Sequence, residues 1–399
     1  MVFGAQVVSY LGDWFAFVAL AGLVEDVTDS RFLVSLVLVS MTIPGLFMSP
    51  IAGSFADRFD RRKILIVVSV LQAFAALLLL LHSAAGIWIT FVAQCLIAGL
   101  AAFVGPSSSA SVPNLVDNDD DLRKTNALFG STWGTMLAVG AALGGVFAAA
   151  FGRNAAFIAN AISFVVAALL FSGVKRPMQS ERTQNSNQGR VRPIADMKEA
   201  INVAKKDPVI LALLCSKMTF AVGAGIVSQL AVLASNVFNV GDSGRGLLIG
   251  VRGIGSGLGP ILGARIAGRD MAKLLKVCGY AGLVFAVCYV GAALSPFIGM
   301  AAVFIALAHL SGGAQWTLST LGLQMEAPDH VRGRVMAGDM AMVNTMIGFT
   351  SILAGLTSQF IGVRPAIIIF AAAAAVASVV YLFATAGIIR RLRNETPQQ

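Results

Sequence analysis

The sequence predicts an all-α membrane protein in which twelve helices cross the bilayer as two six-helix halves. Three observations lead to this prediction: the composition, a series of apolar runs, and an internal repeat. Hydrophobic residues make up 57% of the chain and charged residues only 12%, which is far from the balance of a soluble protein. A soluble fold has no way to bury so many long apolar runs.

Twelve apolar runs can be marked along the chain, and each is long enough to cross about 30 Å of hydrocarbon as a helix. Strands of a barrel are excluded because the alternating pattern that they need is absent. Helices satisfy every backbone group internally, as lipid requires. The runs cover residues 3–24, 32–55, 64–82, 87–111, 126–150, 154–174, 208–235, 245–266, 271–293, 296–320, 335–360 and 364–388.

The Lys and Arg residues outside the apolar runs are distributed unequally between the two predicted sides of the membrane. The segments that follow the even-numbered runs, together with the run ends on both sides of them, hold 23 Lys and Arg residues, whereas the segments on the opposite side and their run ends hold four. Because positive residues favour the cytoplasmic side, we expect both termini to be cytoplasmic in a bacterial-type inner membrane. The net charge of +9 is spread over these short segments, which argues against a nucleic-acid partner. The four cations on the poorer side are Arg31, Arg153, Arg245 and Arg364.

The chain also repeats itself after about 210 residues, as parallel-repeat transporters do. The segment Asp60-x-x-Lys63-Ile64-Leu65 lines up with Asp270-x-x-Lys273-Leu274-Leu275. Gly152 opens the sixth run as Gly362 opens the twelfth. We therefore predict an N-terminal bundle over 1–174 and a C-terminal bundle over 208–399.

Between the predicted bundles lies the polar segment 175–207, which we interpret as a cytoplasmic linker. Its apolar residues from Pro193 to Lys206 fall at helical spacing, which predicts a short amphipathic helix on the inner leaflet. The first apolar run begins almost at Met1 and has no basic stretch before it, so we expect no signal peptide.

A dense charge cluster from Gly53 to Leu65 joins the second and third runs, and we expect a loop of about nine residues there. It resembles the Gly-x-x-x-Asp-Arg-x-x-Arg-Arg-Lys motif of the major facilitator superfamily. Asp60 stands where many members have Gly, so the tight turn that Gly permits is in question. The matching residues are Gly53, Asp57, Arg58, Arg61, Arg62 and Lys63.

Two further stretches resemble sequences of one branch of this superfamily. The stretch Leu11-Gly12-Asp13-Trp14 is similar to bacterial drug and siderophore exporters of the enterobactin and macrolide type. Residues 140–145 resemble the glycine signature of antiporters, with Ala141 in place of its proline. The resemblance implies the major facilitator fold and alternating access.

The resemblance also implies a cytoplasmic gate, in which Asp57 and Arg58 help to close the inner side. The preference of cations for that side would by itself account for Arg61 and Arg62. It does not require Gly53 or Asp57. The gate motif therefore comprises Gly53, Asp57, Arg58, Arg61 and Arg62.

Ionisable residues within the apolar runs are candidate functional residues, because charge in hydrocarbon costs several kcal/mol. Asp13 lies near the middle of the first run, where its carboxyl is suited to proton coupling or to a structural hydrogen bond. Lys217 in the seventh run is a possible ion-pair partner of Asp13, or it snorkels to the surface. Arg252 is suited to binding an anionic group or pairing with a carboxylate. Asp339, a secondary gate candidate, is expected near a helix N-terminus, where the dipole favours it.

These patterns predict a secondary transporter that exports amphipathic small molecules in exchange for protons. The alternative is a lysophospholipid or metabolite carrier on the same fold, working by uniport or import. An enzyme is not expected, because no His, Glu or Ser constellation stands at the ends of the runs, and we expect neither a metal nor a cofactor. The expected partners are a small-molecule substrate, protons and the lipid bilayer, and we expect a monomer.

Overall fold

The structure, a computed structural model, describes residues 1–116, 119–178, 206–268 and 270–395. For some helical residues, among them Gly53, Asp57, Arg58 and most of residues 119–133, it describes the backbone only. Helices are the regular elements throughout these ranges. The predicted linker and its amphipathic helix, residues 175–207, lie mostly outside the described residues.

Within the described ranges, twelve helices are long and apolar enough to cross a membrane, which confirms the predicted fold class. Helix α3 continues through a short turn to Ala85, and α7 continues through irregular 3₁₀ and π turns to Val237. The helices are α1 Val2–Thr28, α2 Arg31–Arg58, α3 Arg61–Leu78, α4 Trp88–Leu115, α5 Asp119–Phe151, α6 Arg153–Ser172, α7 Pro208–Gly223, α8 Asp242–Ala267, α9 Met271–Leu294, α10 Ile298–Glu326, α11 Asp329–Ile361 and α12 Val363–Glu395.

Large apolar side chains remain exposed along these helices, as a lipid environment requires. Phe360 is 83% exposed and Phe383 is 79% exposed. A soluble monomer rarely exposes apolar surface on this scale.

The predicted nine-residue loop between α2 and α3 is wrong. Helix α2 continues to Arg58 and α3 begins at Arg61, so two residues make the connection. Asp60 has φ −61° and ψ 115°, a conformation that needs no glycine. Its side chain accepts a hydrogen bond from the Lys63 amide at 3.1 Å and so caps α3. The substitution of Asp for Gly at this position therefore supplies a helix cap.

The repeat appears in the structure as matched local geometry. Asp270 caps α9 through the Lys273 amide at 3.0 Å, as Asp60 caps α3. Gly152 and Gly362 precede α6 and α12 with φ of 84° and 94°, a left-handed conformation that favours glycine.

The described residues form two compact units. The first comprises those of Met1–Val191 and Val240–Gly250, and the second comprises those of Arg192–Asn239 and Val251–Gln399. In the first unit α3 packs on α4 and α6, and in the second α9 packs on α10 and α12. Leu65 and its repeat mate Leu275 are fully buried in the cores of their units. The bundle boundaries at residues 174 and 208 stay a prediction.

Three glycines at four-residue spacing bring α8 close to α10 within the second unit. A Cβ atom on Gly255 would lie 2.8 Å from the backbone nitrogen of Leu310, and one on Gly259 would lie 2.7 Å from that of Ala314. Gly263 faces Ala314 in the same way. Small residues at this spacing let membrane helices approach each other closely.

We expect Gly259→Ala to destabilise the protein by about 1–3 kcal/mol, because its methyl group meets the backbone of α10. Gly257 has open space around its Cβ position, so Gly257→Ala is the matched control. Alanine there should be neutral or stabilise α8 by up to about 1 kcal/mol through helix propensity. Thermal unfolding of the two purified variants measures the difference, and equal melting temperatures would contradict the packing argument.

Candidate functional site

Asp13 lies inside α1, eleven residues after its start, or about 16 Å along the helix axis. Among the described residues, none forms a hydrogen bond or ion pair with its carboxyl group. The neighbouring Gly12 lets α1 approach α6, since a Cβ there would lie 2.7 Å from the side-chain oxygen of Asn160. Close packing therefore fixes the position of α1 while the Asp13 carboxyl is left without a described partner.

Two further polar side chains share the helix face of Asp13. Gln6 donates a hydrogen bond to the Tyr10 hydroxyl at 3.0 Å. Tyr10 lies within electrostatic range of Asp13, three residues further along. The spacing i, i+4, i+7 places all three on one side of α1. Sequence reasoning singled out only Asp13, although this spacing was a usable signal for the other two.

Lys217 and Asp339 form an ion pair inside the second unit. The side chains are 1% and 0% exposed. The Lys217 ammonium also donates to the Thr320 hydroxyl at 2.8 Å and lies 5.1 Å from the centre of the Trp316 ring. Opposite charge, a hydroxyl and an aromatic face thus stabilise the buried cation.

This pair corrects three sequence expectations. Lys217 pairs with Asp339 rather than with Asp13. Its ammonium group is buried, so it does not snorkel to the surface. Asp339 lies ten residues after the start of α11, beyond the first turn where the helix dipole acts. Its buried position is explained by the ammonium of Lys217.

The two oxygens of Asp339 differ in their surroundings. Oδ2 accepts from the Lys217 ammonium, whereas Oδ1 is buried and has no hydrogen-bond partner among the described residues. An unpartnered carboxylate oxygen in such a site can take a proton without losing an existing hydrogen bond.

Arg252, in α8, lies within electrostatic range of two fully buried polar side chains, Tyr289 in α9 and His309 in α10. The Tyr289 hydroxyl and the His309 Nε2 share a hydrogen bond at 2.8 Å. Phe285 packs against Tyr289 with ring centres 4.7 Å apart. Sequence reasoning identified Arg252 but missed the pair beside it, because the three residues come from three helices.

Two residues of the predicted gate motif bind the ends of other helices. Arg61 donates to the Ala110 carbonyl in α4 at 2.5 Å and to the Ala56 carbonyl in α2 at 3.1 Å. Arg62 donates to the Ser172 carbonyl at the end of α6. These carbonyls lie near helix C-termini, where a cation is favourable. The side chains of Asp57 and Arg58 are not among those described, so the gating role of the motif stays a prediction.

A cluster of five charged side chains lies at the other helix ends of the first unit and was missed by sequence reasoning. Arg245 donates to Glu25 at 2.7 Å and to Asp242 at 2.6 Å. Arg153 donates to Asp242 at 2.9 Å and to Asp26 at 2.7 Å. The Arg245 side chain is 3% exposed, so its ion pairs with Glu25 and Asp242 are well shielded from solvent, whereas Asp26 is 55% exposed.

Glycines make room for this charge cluster. A Cβ on Gly22 would lie 2.7 Å from the Arg245 guanidinium. A Cβ on Gly145, within the antiporter-like stretch, would lie 2.7 Å from the Cα of Gly246. The cluster ties the start of α8 to α1 and α6. The sequence did contain a signal for this charge cluster, because Arg153 and Arg245 are two of the four cations on the membrane side that has few Lys and Arg residues.

Comparison with known proteins places the whole chain in one family. The family model described as transmembrane secretion effector matches residues 1–393. A protein named as the bacilysin exporter BacE of Bacillus subtilis is 23% identical over 362 residues, 88% of this chain and 86% of BacE. The staphyloferrin A transporter of Staphylococcus aureus is 23% identical over 377 residues, 90% and 89% of the two chains. The multidrug efflux pump Tap of Mycobacterium bovis is 25% identical over 196 residues, 46% and 47% of the two chains.

Solved structures confirm the major facilitator fold. The bacterial homologue of the human lysosomal transporter Spinster, in its inward-facing and unoccupied conformation, matches with a TM-score of 0.72. The match covers 100% of this chain and 98% of that structure at 15% identity. The nucleoside transporter NupG matches with a TM-score of 0.71 at 13% identity, covering 96% of this chain and 98% of NupG.

We expect Asp339→Asn to destabilise the protein by about 3–5 kcal/mol, because it leaves the buried Lys217 ammonium without a counter-charge. The double variant Lys217→Met with Asp339→Leu removes both charges and should recover most of that loss. Thermal unfolding of the single and double variants tests this.

The matched control is Lys273→Met. Lys273 and Asp270 form a pair with atoms 3.5 Å apart and side chains 62% and 41% exposed. Its loss should cost less than about 1 kcal/mol. An Asp339→Asn variant as stable as Lys273→Met would show that the buried pair does not stabilise the fold.

Proposed function

We propose that this chain, which belongs to the transmembrane secretion effector family of the major facilitator superfamily, exports amphipathic small molecules in exchange for protons by alternating access. The observation that carries the proposal is the set of carboxyl groups inside spanning helices. Asp13 has no described partner, and Asp339 has one paired and one unpaired oxygen. Carboxyl groups inside spanning helices are typical of proton carriers.

Export is the direction supported by the relatives. Proteins similar to this chain are named as an exporter of bacilysin, a transporter of staphyloferrin A and a multidrug efflux pump. These names include an antibiotic, a siderophore and drugs. We therefore propose an amphipathic small molecule as the substrate class, held mainly by apolar and aromatic contacts.

In the proposed cycle, the charge state of the carboxyl groups biases the conformation of the transporter. A protonated Asp13 is neutral and tolerates hydrocarbon, whereas its carboxylate favours a conformation in which water reaches it. Protonation of Asp339 cancels one half of its ion pair and releases Lys217 from its counter-charge. A conformational equilibrium shifts only through such differences in free energy between states.

We expect Asp13→Asn to abolish substrate-induced proton movement, because asparagine keeps the shape of the side chain and cannot carry a proton. The measurement is proton flux in proteoliposomes, with a panel of dyes, macrolides and siderophores as substrates. Asp29→Asn is the matched control, since Asp29 is exposed beyond the end of α1 and asparagine tolerates its positive φ of 47°.

Three other outcomes of the proton-flux experiment would contradict the role proposed for Asp13. Proton movement that is unchanged in Asp13→Asn would shift the coupling role to Asp339. Transport without any proton movement would overturn the antiport proposal and favour a uniporter or a lysophospholipid carrier. Loss of proton movement in Asp29→Asn as well would show a general effect of the charge change.

We also propose that both termini face the cytoplasm, because 23 cations lie at one set of helix ends and four at the other. A single cysteine at Ser83, exposed near the end of the continuation of α3, should react with an impermeant maleimide in right-side-out vesicles only. One at Asn394, exposed near the C-terminus, should react in inverted vesicles only. Both are made in a background without the four free cysteines. The reverse pattern would overturn the orientation.

A further inference from the structure

The Arg252 side chain stands out in the second unit because its charge is not compensated by the residues described. It lies ten residues along α8, well inside a helix that is apolar enough to span the membrane. Its Nε is buried and has no hydrogen-bond partner among the described residues, and no ion pair to it is found there. An uncompensated charge at such depth costs several kcal/mol.

Two carboxylates of the second unit, Asp339 and Glu326, could in principle compensate Arg252, but the first already has a partner and the second is distant. Asp339 is paired with Lys217. Glu326 is exposed at the C-terminal end of α10, 17 residues beyond His309 and so about 25 Å further along that helix. The protein thus compensates the Lys217 ammonium of this unit, whereas the Arg252 guanidinium has no described counter-ion.

The groups around Arg252 are polar but carry no permanent negative charge. Tyr289 and His309 bind each other at 2.8 Å and are 0% and 2% exposed. The close approach of α8 and α10 at Gly255 holds His309 near Arg252, since a Cβ there would lie 3.0 Å from the Cβ of His309. The hydrogen-bonded pair therefore lies on the side of α8 that carries Gly255, one turn from Arg252.

We propose that Arg252 binds the carboxylate of an anionic amphipathic substrate, with Tyr289 and His309 as positioning residues behind it. A single guanidinium offers two parallel N–H donors, which match one planar carboxylate. One positive charge balances one carboxylate and leaves a doubly charged phosphate group under-compensated. Phe220 is only partly buried, and its ring centre lies 6.3 Å from that of His309, so it offers an apolar contact next to this polar group. This inference rests on the proposed export of small molecules and names the substrate class.

The test compares two probes, N-dansyl-phenylalanine and its methyl ester, which differ in the charge of the carboxyl group and by one methyl group. Binding is measured at equilibrium by dansyl fluorescence, with the purified full chain in nanodiscs and empty nanodiscs as background. We expect the wild-type protein to bind the acid about 10- to 100-fold more tightly than the ester, which corresponds to one charge-assisted hydrogen-bonded contact.

Arg252→Gln should remove this preference and leave ester binding unchanged, while Arg252→Lys should keep part of it as a point charge. Arg364→Gln is the matched control, because Arg364 lies at the start of α12 and donates to the Ser295 carbonyl just beyond the end of α9. Arg252→Gln should also raise the melting temperature of the unliganded protein, since it removes an uncompensated charge. If Arg252 instead stabilised the fold, the Arg252→Gln substitution would lower the melting temperature.

Several outcomes would overturn the inference. These are equal or absent binding of the two probes to the wild type, equal losses for both probes in Arg252→Gln, or the same loss in Arg364→Gln. The preference for the acid over the ester is also measured with gluconate in place of chloride. If it appears only in gluconate, chloride competes for the site, and the site would be assigned to a small inorganic anion instead. The assay uses no proton gradient, so its failure is independent of the proton-flux experiment on Asp13.

Discussion

The compensation of charge inside apolar helices is the constraint on which the rest of this structure depends. An ammonium or carboxylate in hydrocarbon is stable only with an opposite charge or a dense set of hydrogen bonds. Lys217 and Asp339 satisfy this constraint together, with Thr320 and Trp316 as further partners. Where the described residues leave a charge uncompensated, as at Arg252, the protein retains an unfavourable interaction that a ligand can remove.

Close helix packing positions these charges, and glycine makes that packing possible. Membrane helices gain little from the hydrophobic effect when they associate, so contact between backbones matters more. Gly12 sets α1 against α6 beside Asp13, and Gly255 sets α8 against α10 beside His309. Gly22 leaves the space that the Arg245 guanidinium occupies. The same residue type thus fixes the helix positions and makes room for the ionic groups.

The two halves keep the same scaffold and differ in their charged groups. Asp60 and Asp270 cap corresponding helices, and Leu65 and Leu275 fill corresponding cores. The buried Lys217–Asp339 pair belongs to the second unit, whereas Asp13 in the first unit has no described partner. In the proposed cycle, this difference in charged groups gives the two units different responses to protonation.

The sequence by itself determined the fold class, the twelve spans and the repeat, because these depend on run length and composition, which act locally along the chain. It also identified Asp13, Lys217, Arg252 and Asp339, since a charge within an apolar run is visible without a structure. Only the tertiary structure decided which charges meet. Lys217 and Asp339 are 122 residues apart, and the partner of a buried charge depends on which helix faces pack together. The cluster around Arg245 joins three helices for the same reason.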